Sequence, residues 1–150
     1  MSTERNTLAI SLFSEILAAD QMVRNRLSRV LPKGMEISPF SVLNHLAWHE
    51  GERSPAQLAE TFNVTRGAMT NTLSRLEWAG YVHIRPDWDD ARRKMVAISL
   101  AGHTAREQAL SSIAPLVTDV IDQLGEESVR ATLPILRQLR MQLSPKVKQD

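Results

Sequence analysis

The stretch VTRGAMTNTLSRLEWAGYV, Val64–Val82, decides the fold of this chain. Thr65 is a favourable helix N-cap, and Gly80 supplies the left-handed residue that commonly ends a helix. At helical spacing the apolar side chains fall on one side and small polar groups on the other. The apolar residues are Met69, Leu73 and Leu76; the polar side holds Gly67, Thr70, Asn71 and Ser74, flanked by Arg66 and Arg75. The stretch predicts a helix whose polar side either faces solvent or fits a major groove, and the residues that follow decide between the two.

The residues just before this stretch predict a second, shorter helix. Ser54 is followed by Pro55 and, three residues on, by Gln57, which is the pattern of a capping box. The core side of this helix is Leu58, Ala59 and Phe62, and Asn63-Val64 makes a tight turn. A helix of this length is not stable alone, so we expect it to support the longer one.

After Gly80 the apolar period changes from about 3.6 to 2. Tyr81–Arg85 and Lys94–Ile98 both alternate, which predicts two short strands joined by a long polar tip, Pro86–Arg93. Helix, tight turn, helix and hairpin is the order of a winged helix-turn-helix.

The polar tip places three carboxylates, those of Asp87, Asp89 and Asp90, beside Arg92 and Arg93. They lack the spaced ligands and glycine of a calcium loop, and no apolar surround separates their pKa values for acid–base catalysis. Two interpretations stay open. The tip is a solvated loop, or Asp90 holds Arg92 so that its guanidinium projects into a narrow minor groove and the carboxylates oppose indiscriminate phosphate binding.

Long amphipathic segments flank this region. Apolar steps of three and four from Leu8 to Leu31 predict one helix, and Ser38 followed by Pro39 predicts the N-cap and first residue of the next, which runs to about His49. Helical spacing returns from Leu100 to the C-terminus, with a break at Gly125. We expect the two prolines in these last helices, Pro115 and Pro134, to kink or reset them, and the last six or so residues to be disordered.

Composition narrows the function classes. The 150 residues suit one domain, and the absence of cysteine excludes disulfides, thiolate metal sites and thiol-based redox sensing. A net charge of +1 means that any nucleic-acid role must depend on where the charges lie. With no signal peptide and no long apolar run, we expect a cytoplasmic protein without a membrane partner.

From about Ile37 to Gly102 the chain resembles the MarR family of bacterial transcription regulators. The resemblance rests on Gln57-Leu58-Ala59, on Val64–Val82, and on RPDWDDARRKMVAISLAG, Arg85–Gly102. Within the last of these, Asp90-x-Arg92 and Ile98-Ser99-x-x-Gly102 look like the family's wing signature. The implied fold is mainly α with a small β-hairpin, a winged helix-turn-helix DNA-binding domain plus a helical dimerisation region.

The resemblance implies a homodimeric repressor of pseudo-palindromic double-stranded DNA. Residues 1–36 and 103–150 would dimerise, and residues 37–102 would bind DNA; the alternative is that the long helices close a monomeric core. The implied DNA-binding residues are Thr65, Arg66, Gly67, Thr70, Asn71, Ser74, Arg75, Asp90, Arg92 and Arg93. The family commonly has a basic residue at 71 and a polar one at 67, so Asn71 and Gly67 should alter sequence preference more than docking.

Many members of that family release DNA when a small, often phenolic or aromatic, anion binds. The effector candidates here are Met22, Arg26, His45, Trp48 and His49, for which ordinary packing is the alternative. His45 and His49 are four residues apart and could share a metal, but no third ligand is evident, so we expect neither metal nor cofactor.

Two other classes of protein are alternatives to a DNA-binding regulator. An enzyme is not expected, because the chain has no Gly-x-Ser-x-Gly elbow, phosphate loop or His-Glu-x-x-His. A winged helix used only for protein–protein contact would place apolar residues on the outward side of 66–75, where Thr70, Asn71 and Ser74 lie instead.

Overall fold

The computed structural model describes residues 2–144, so the predicted disorder of the last six residues lies outside the described part. That part contains six helices and one antiparallel hairpin, which confirms the predicted fold class. The elements are α1 (Ser2–Val30), α2 (Ile37–Trp48), α3 (Pro55–Thr61), α4 (Arg66–Trp78), β1 (Val82–Pro86), β2 (Lys94–Ile98), α5 (Leu100–Leu124) and α6 (Glu126–Leu143). They divide into two compact units, with the boundary between Ile113 and Ala114.

The core of the first unit joins α2, α3, α4 and the hairpin. Leu43, Leu58, Leu76 and Val96, one from each, are at most 2% exposed. Burying each such side chain stabilises the fold by roughly 1.5–3 kcal/mol. The predicted inner side of α4 is confirmed, because the side chains of Met69, Leu73 and Leu76 are all buried.

Two of the predicted caps are present. The hydroxyl of Ser54 accepts a hydrogen bond from the Gln57 N–H at 3.1 Å, and the Gln57 side chain accepts one from the Ser54 N–H at 2.9 Å. This reciprocal pair satisfies two backbone donors at the start of α3. The Thr65 hydroxyl does the same for the Ala68 N–H at the start of α4, at 3.1 Å.

The predicted start of α2 is wrong. The N-cap is Glu36 rather than Ser38, and the Phe40 N–H donates to the Glu36 carbonyl at 3.0 Å. Pro39 therefore lies in the first turn, where backbone N–H groups have no intrahelical acceptor and a proline removes no bond. Ile37 packs against the core, which favours the additional helical residues.

The long helices also differ in part from expectation. α1 begins at Ser2, earlier than the predicted start at Leu8. The residues before Leu8 carry no apolar period, so the pattern did not include them in the predicted helix. Gly125 separates α5 from α6 as predicted, with φ 88°. Both helices continue through Pro115 and Pro134 without the predicted reset. Both prolines are exposed, so water can bond the carbonyl that each leaves without a donor.

Among the described helices, none is long and apolar enough to cross a bilayer.

The hairpin has one face on the core and one facing outward. Its register pairs Ile84 with Val96 and Arg85 with Met95. Val96 is buried and Ile84 packs against the core, so Arg85 and Met95 lie on the other face, since strand side chains alternate. On its far edge β2 pairs with the α2–α3 linker, where the backbones of Arg53 and Val96 exchange hydrogen bonds of 3.0 and 2.7 Å.

A compact clasp joins the hairpin to α5. The Ser99 hydroxyl donates to the Gly80 carbonyl at 2.6 Å and accepts from the Gly102 N–H at 3.0 Å. A Cβ at position 102 would overlap the Tyr81 carbonyl oxygen and press on the Ile98 side chain. The serine and glycine of the Ile98-Ser99-x-x-Gly102 pattern therefore fix where α5 starts.

Candidate nucleic-acid interface

The side of α4 opposite the core is exposed and polar. Gly67, Asn71 and Ser74 lie along its centre, with Thr70 on one flank, and all four are exposed. The face offers amide and hydroxyl groups and no bulky aliphatic side chain before Trp78, which is 94% exposed. Its shape and chemistry suit contact with base edges in a major groove.

An open groove of about 880 Å³ lies between α3, α4 and the hairpin. Four basic side chains line this groove, those of Arg66, Arg92, Arg93 and Lys94. We call it the basic groove. Thr70 lines the same groove from α4, and Glu60 is the acidic residue of its lining. The excess of positive charge makes the groove complementary to a polyanion such as a phosphodiester backbone.

At the hairpin tip Asp90 bonds Arg92, the contact that the second of the two interpretations requires. Oδ1 of Asp90 accepts hydrogen bonds from Nε of Arg92 at 3.2 Å and from its backbone N–H at 3.0 Å. These bonds, the side-chain one first, lower the pKa of Asp90, which keeps the carboxylate ionised. The Arg92 side chain is nevertheless 91% exposed, so its guanidinium projects into solvent.

The other two aspartates of the tip differ in what they do. Oδ1 of Asp87 accepts the Asp89 N–H at 3.1 Å, and the Asp87 N–H donates to the Arg93 carbonyl at 2.9 Å. The Asp87 carboxylate thus shapes the turn, while Asp89 is exposed. Across residues 2–144, no group of three or more His, Cys, Asp or Glu side chains is arranged to hold a metal ion.

The two arginines expected to flank the polar face have different surroundings. Arg66 lines the basic groove. Arg75 lies near the start of α2, where Nη1 is 3.5 Å from a carboxylate oxygen of Glu36 and its side chain is about half exposed. The charge of Arg75 is therefore partly offset, and that of Arg66 faces the groove.

Two residues that contribute to this surface, Lys94 and Arg85, were not predicted from the sequence. Lys94 lines the basic groove, and the run Arg92–Lys94 was a signal that could have identified it. Arg85 binds Glu52, 33 residues away, and no local pattern signals a contact between residues so far apart.

The effector candidates form two groups. The rings of His45 and His49 are 4.1 Å apart between centroids, and Nδ1 of His49 is 2.6 Å from Nη2 of Arg53. Burial, followed by the nearby His49 and Arg53, lowers the pKa of His45. Trp48 is instead stacked by Arg106, whose guanidinium carbon is 5.7 Å from the ring centroid.

Met22 and Arg26 are both exposed on α1. The two histidines are thus brought together, and Trp48 has a separate environment.

Comparison with known proteins gives a consistent result. Residues 33–93 match the family model described as the MarR family. An uncharacterised HTH-type transcriptional regulator, YdgG of Bacillus subtilis, is 27% identical over 143 residues, covering 93% of each chain.

Two solved structures share the fold. Sco3205, a MarR family transcriptional regulator from Streptomyces coelicolor in complex with DNA, has a TM-score of 0.80 at 22% identity and covers 90% of each chain. A mutant MarR from E. coli complexed with operator DNA has a TM-score of 0.76 at 24% identity, covering 87% of this chain and 94% of that one.

Proposed function

We propose that this chain is a transcriptional regulator of the MarR family, whose model residues 33–93 match, and that it is a homodimeric repressor of a pseudo-palindromic operator. The observation that carries the proposal is the polar outer face of α4 lying beside the basic groove. The two surfaces together supply what operator binding requires, base-edge readout and phosphate contact.

In this proposal α4 enters the major groove of the duplex. Thr70, Asn71 and Ser74 present donors and acceptors to base edges, and Gly67 lets the backbone approach closely. The side-chain amide of Asn71 can form two hydrogen bonds with one adenine. The basic residue that is common at this position in the family does not offer this pair of hydrogen bonds. The expected difference from relatives is therefore one of operator sequence.

Charged residues set the position of the protein on the duplex. Arg66 and the rest of the basic groove would follow the phosphate backbone, and Arg92, aimed by Asp90, would enter the adjacent minor groove. The full set assigned to DNA is that expected from sequence: Thr65, Arg66, Gly67, Thr70, Asn71, Ser74, Arg75, Asp90, Arg92 and Arg93.

Exposed apolar side chains support dimerisation. α1 has no buried residue, and its Leu8 and Leu17 are 72% and 69% exposed. α6 likewise has no buried residue, and its Ile135 and Met141 are 61% and 70% exposed. Extended apolar faces of this kind mark an association surface. We assign residues 1–36 and 103–150 to dimerisation, and residues 37–102 to DNA binding.

An effector completes the proposal. A small aromatic anion would bind near His45, His49 and Trp48, with Met22 and Arg26 on α1, and would release the DNA. Nε2 of His45 supports this assignment, because it is buried with no hydrogen-bond partner among the described residues. We place this regulator in the cytoplasm, where bacterial operators are.

The test is selection of duplexes from a randomised library by the wild-type protein. We expect an enriched inverted repeat with half-sites about 34 Å apart, bound by two protomers per duplex in sedimentation. The variant Asn71→Ala should bind it more weakly and with altered preference at one base position in each half-site. Failure to enrich any sequence at any salt concentration would contradict the proposal and favour a protein-binding winged helix.

A further inference from the structure

We propose that Glu52 and Arg85 are positioning residues, which set the direction of the hairpin tip and thereby the reach of Arg92. We call this pair the Glu52–Arg85 brace. The inference rests on the proposed function, because its consequence is the strength of operator binding.

The brace connects segments that are distant in sequence. Oε1 of Glu52, in the α2–α3 linker, accepts hydrogen bonds from Nε of Arg85 at 3.1 Å and from Nη2 at 2.8 Å. Both side chains are only about one third exposed. The two bonds arrive from one edge of the planar guanidinium, so they fix its orientation as well as its position.

From Arg85 the connection continues to the tip. Nη1 of Arg85 donates to the Pro86 carbonyl at 2.8 Å, and its guanidinium carbon lies 4.9 Å from the centroid of the Trp88 ring. Trp88 is 83% exposed, so this cation–π contact is what covers one face of its ring. All three nitrogens of the guanidinium thus have an acceptor within the protein, and its charge serves the hairpin rather than a phosphate.

The linker segment that carries Glu52 is itself fixed by contacts with β2 and α2. Arg53, the next residue after Glu52, pairs by its backbone with Val96, and its side chain bonds His49 at the end of α2. Glu52 therefore projects from a segment tied both to β2 and to α2. A two-stranded hairpin gains little stability from its own pairing, so a tie outside the core helps to fix the direction of its tip.

The location of the brace separates positioning from global stability. Arg85 lies on the outer face of the hairpin, away from the core that Val82 and Val96 help to form. A partly exposed ion pair contributes little to the stability of the whole fold. Its removal should therefore loosen the tip while leaving the core packed.

The experiment compares Glu52→Gln with the wild type on the duplex that the wild type selects. We expect Glu52→Gln to bind the duplex about fivefold more weakly. In hydroxyl-radical footprinting, Glu52→Gln should lose protection of the minor groove only at the positions where Arg92→Ala also loses it. The combined variant Glu52→Gln with Arg92→Ala should bind no more weakly than Arg92→Ala alone, because both changes remove one contact. Reversal of the pair, Glu52→Arg with Arg85→Glu, should recover part of the loss.

The matched control is Glu50→Gln, which removes an exposed carboxylate from the same linker. Equal affinity of Glu52→Gln and Glu50→Gln would overturn the inference, as would additive losses with Arg92→Ala. Should Glu52→Gln fail to fold, Arg85→Lys, which keeps the charge but not the planar fork, must show the same non-additivity. A wild type that selects no duplex would refute the proposed function itself, whereas operator binding unaffected by Glu52→Gln refutes only the brace.

Discussion

Nε of Arg92 lies 3.2 Å from Oδ1 of Asp90, yet 91% of the Arg92 side chain is open to solvent. Such an exposed pair contributes little to folding. Its physical effect is to restrict the directions that a long, flexible side chain samples, which lowers the entropy lost when the guanidinium enters a groove. Under the proposed function this relationship separates two roles in the tip, with Arg92 contacting the DNA and Asp90 directing it.

Removal of the Arg92 side chain and removal of the Asp90 charge should therefore affect DNA binding differently. Arg92→Ala should weaken operator binding by about 1–3 kcal/mol, because a groove contact is lost. Asp90→Asn should weaken operator binding less but strengthen binding to unrelated DNA, because one carboxylate no longer repels phosphates. Titrations with and without competitor DNA measure the ratio of the two affinities. An unchanged ratio for Asp90→Asn would contradict the directing role.

The salt dependence of operator binding should be moderate. The basic groove holds four basic side chains, Arg66, Arg92, Arg93 and Lys94. The charge of Arg75 is partly offset by Glu36, so two protomers should neutralise about eight phosphates and log K against log salt should have a slope of about −7. Fluorescence anisotropy at several salt concentrations gives this slope, and a value near −10 would mean that many more basic residues contact DNA.

Gly102→Ala should destabilise the fold. The added methyl group would overlap the Tyr81 carbonyl, which is backbone and cannot rotate away. We expect a loss of about 1–3 kcal/mol in the free energy of unfolding, measured by urea at fixed protein concentration. Gly67→Ala is the matched control, since a Cβ at 67 meets no atom within 4 Å. Equal unfolding midpoints for the two variants would show that the clasp can relax.

Stability should fall in mild acid because of His45. Burial, His49 and Arg53 lower the pKa of His45 in the folded protein. Between that lowered value and the unfolded value of about 6.5, the unfolded chain binds more protons, so the free energy of unfolding decreases as pH falls. Above about pH 6.5 both states are neutral at this residue, and the effect vanishes.

The measurement is the urea midpoint of the wild type and of His45→Gln from about pH 5 to pH 8. The variant should lose part of the acid sensitivity. His83→Gln, a change at an exposed histidine of β1, serves as the control. Identical pH profiles for wild type and His45→Gln would contradict the assignment.

Local patterns predicted the features that local chemistry determines. The capping box at Ser54, the buried side of α4 and the two strands of the hairpin were all predicted, because each depends on residues close together in sequence. The start of α2 was not, since Ser38 and Pro39 satisfy the capping pattern while the packing of Ile37 extends the helix. Contacts such as that of Arg85 with Glu52 depend on the assembled fold and have no sequence signature.

All three tryptophans of the chain are largely exposed, Trp48 at 75%, Trp78 at 94% and Trp88 at 83%. We therefore expect their emission in the native state to resemble that of solvated indoles and to change little when the chain unfolds. The same property makes them useful optical reporters of surface events, because Trp78 ends the helix that is proposed to enter the major groove and Trp88 lies at the hairpin tip. A blue shift on adding operator would come from those indoles leaving water, without any attached dye.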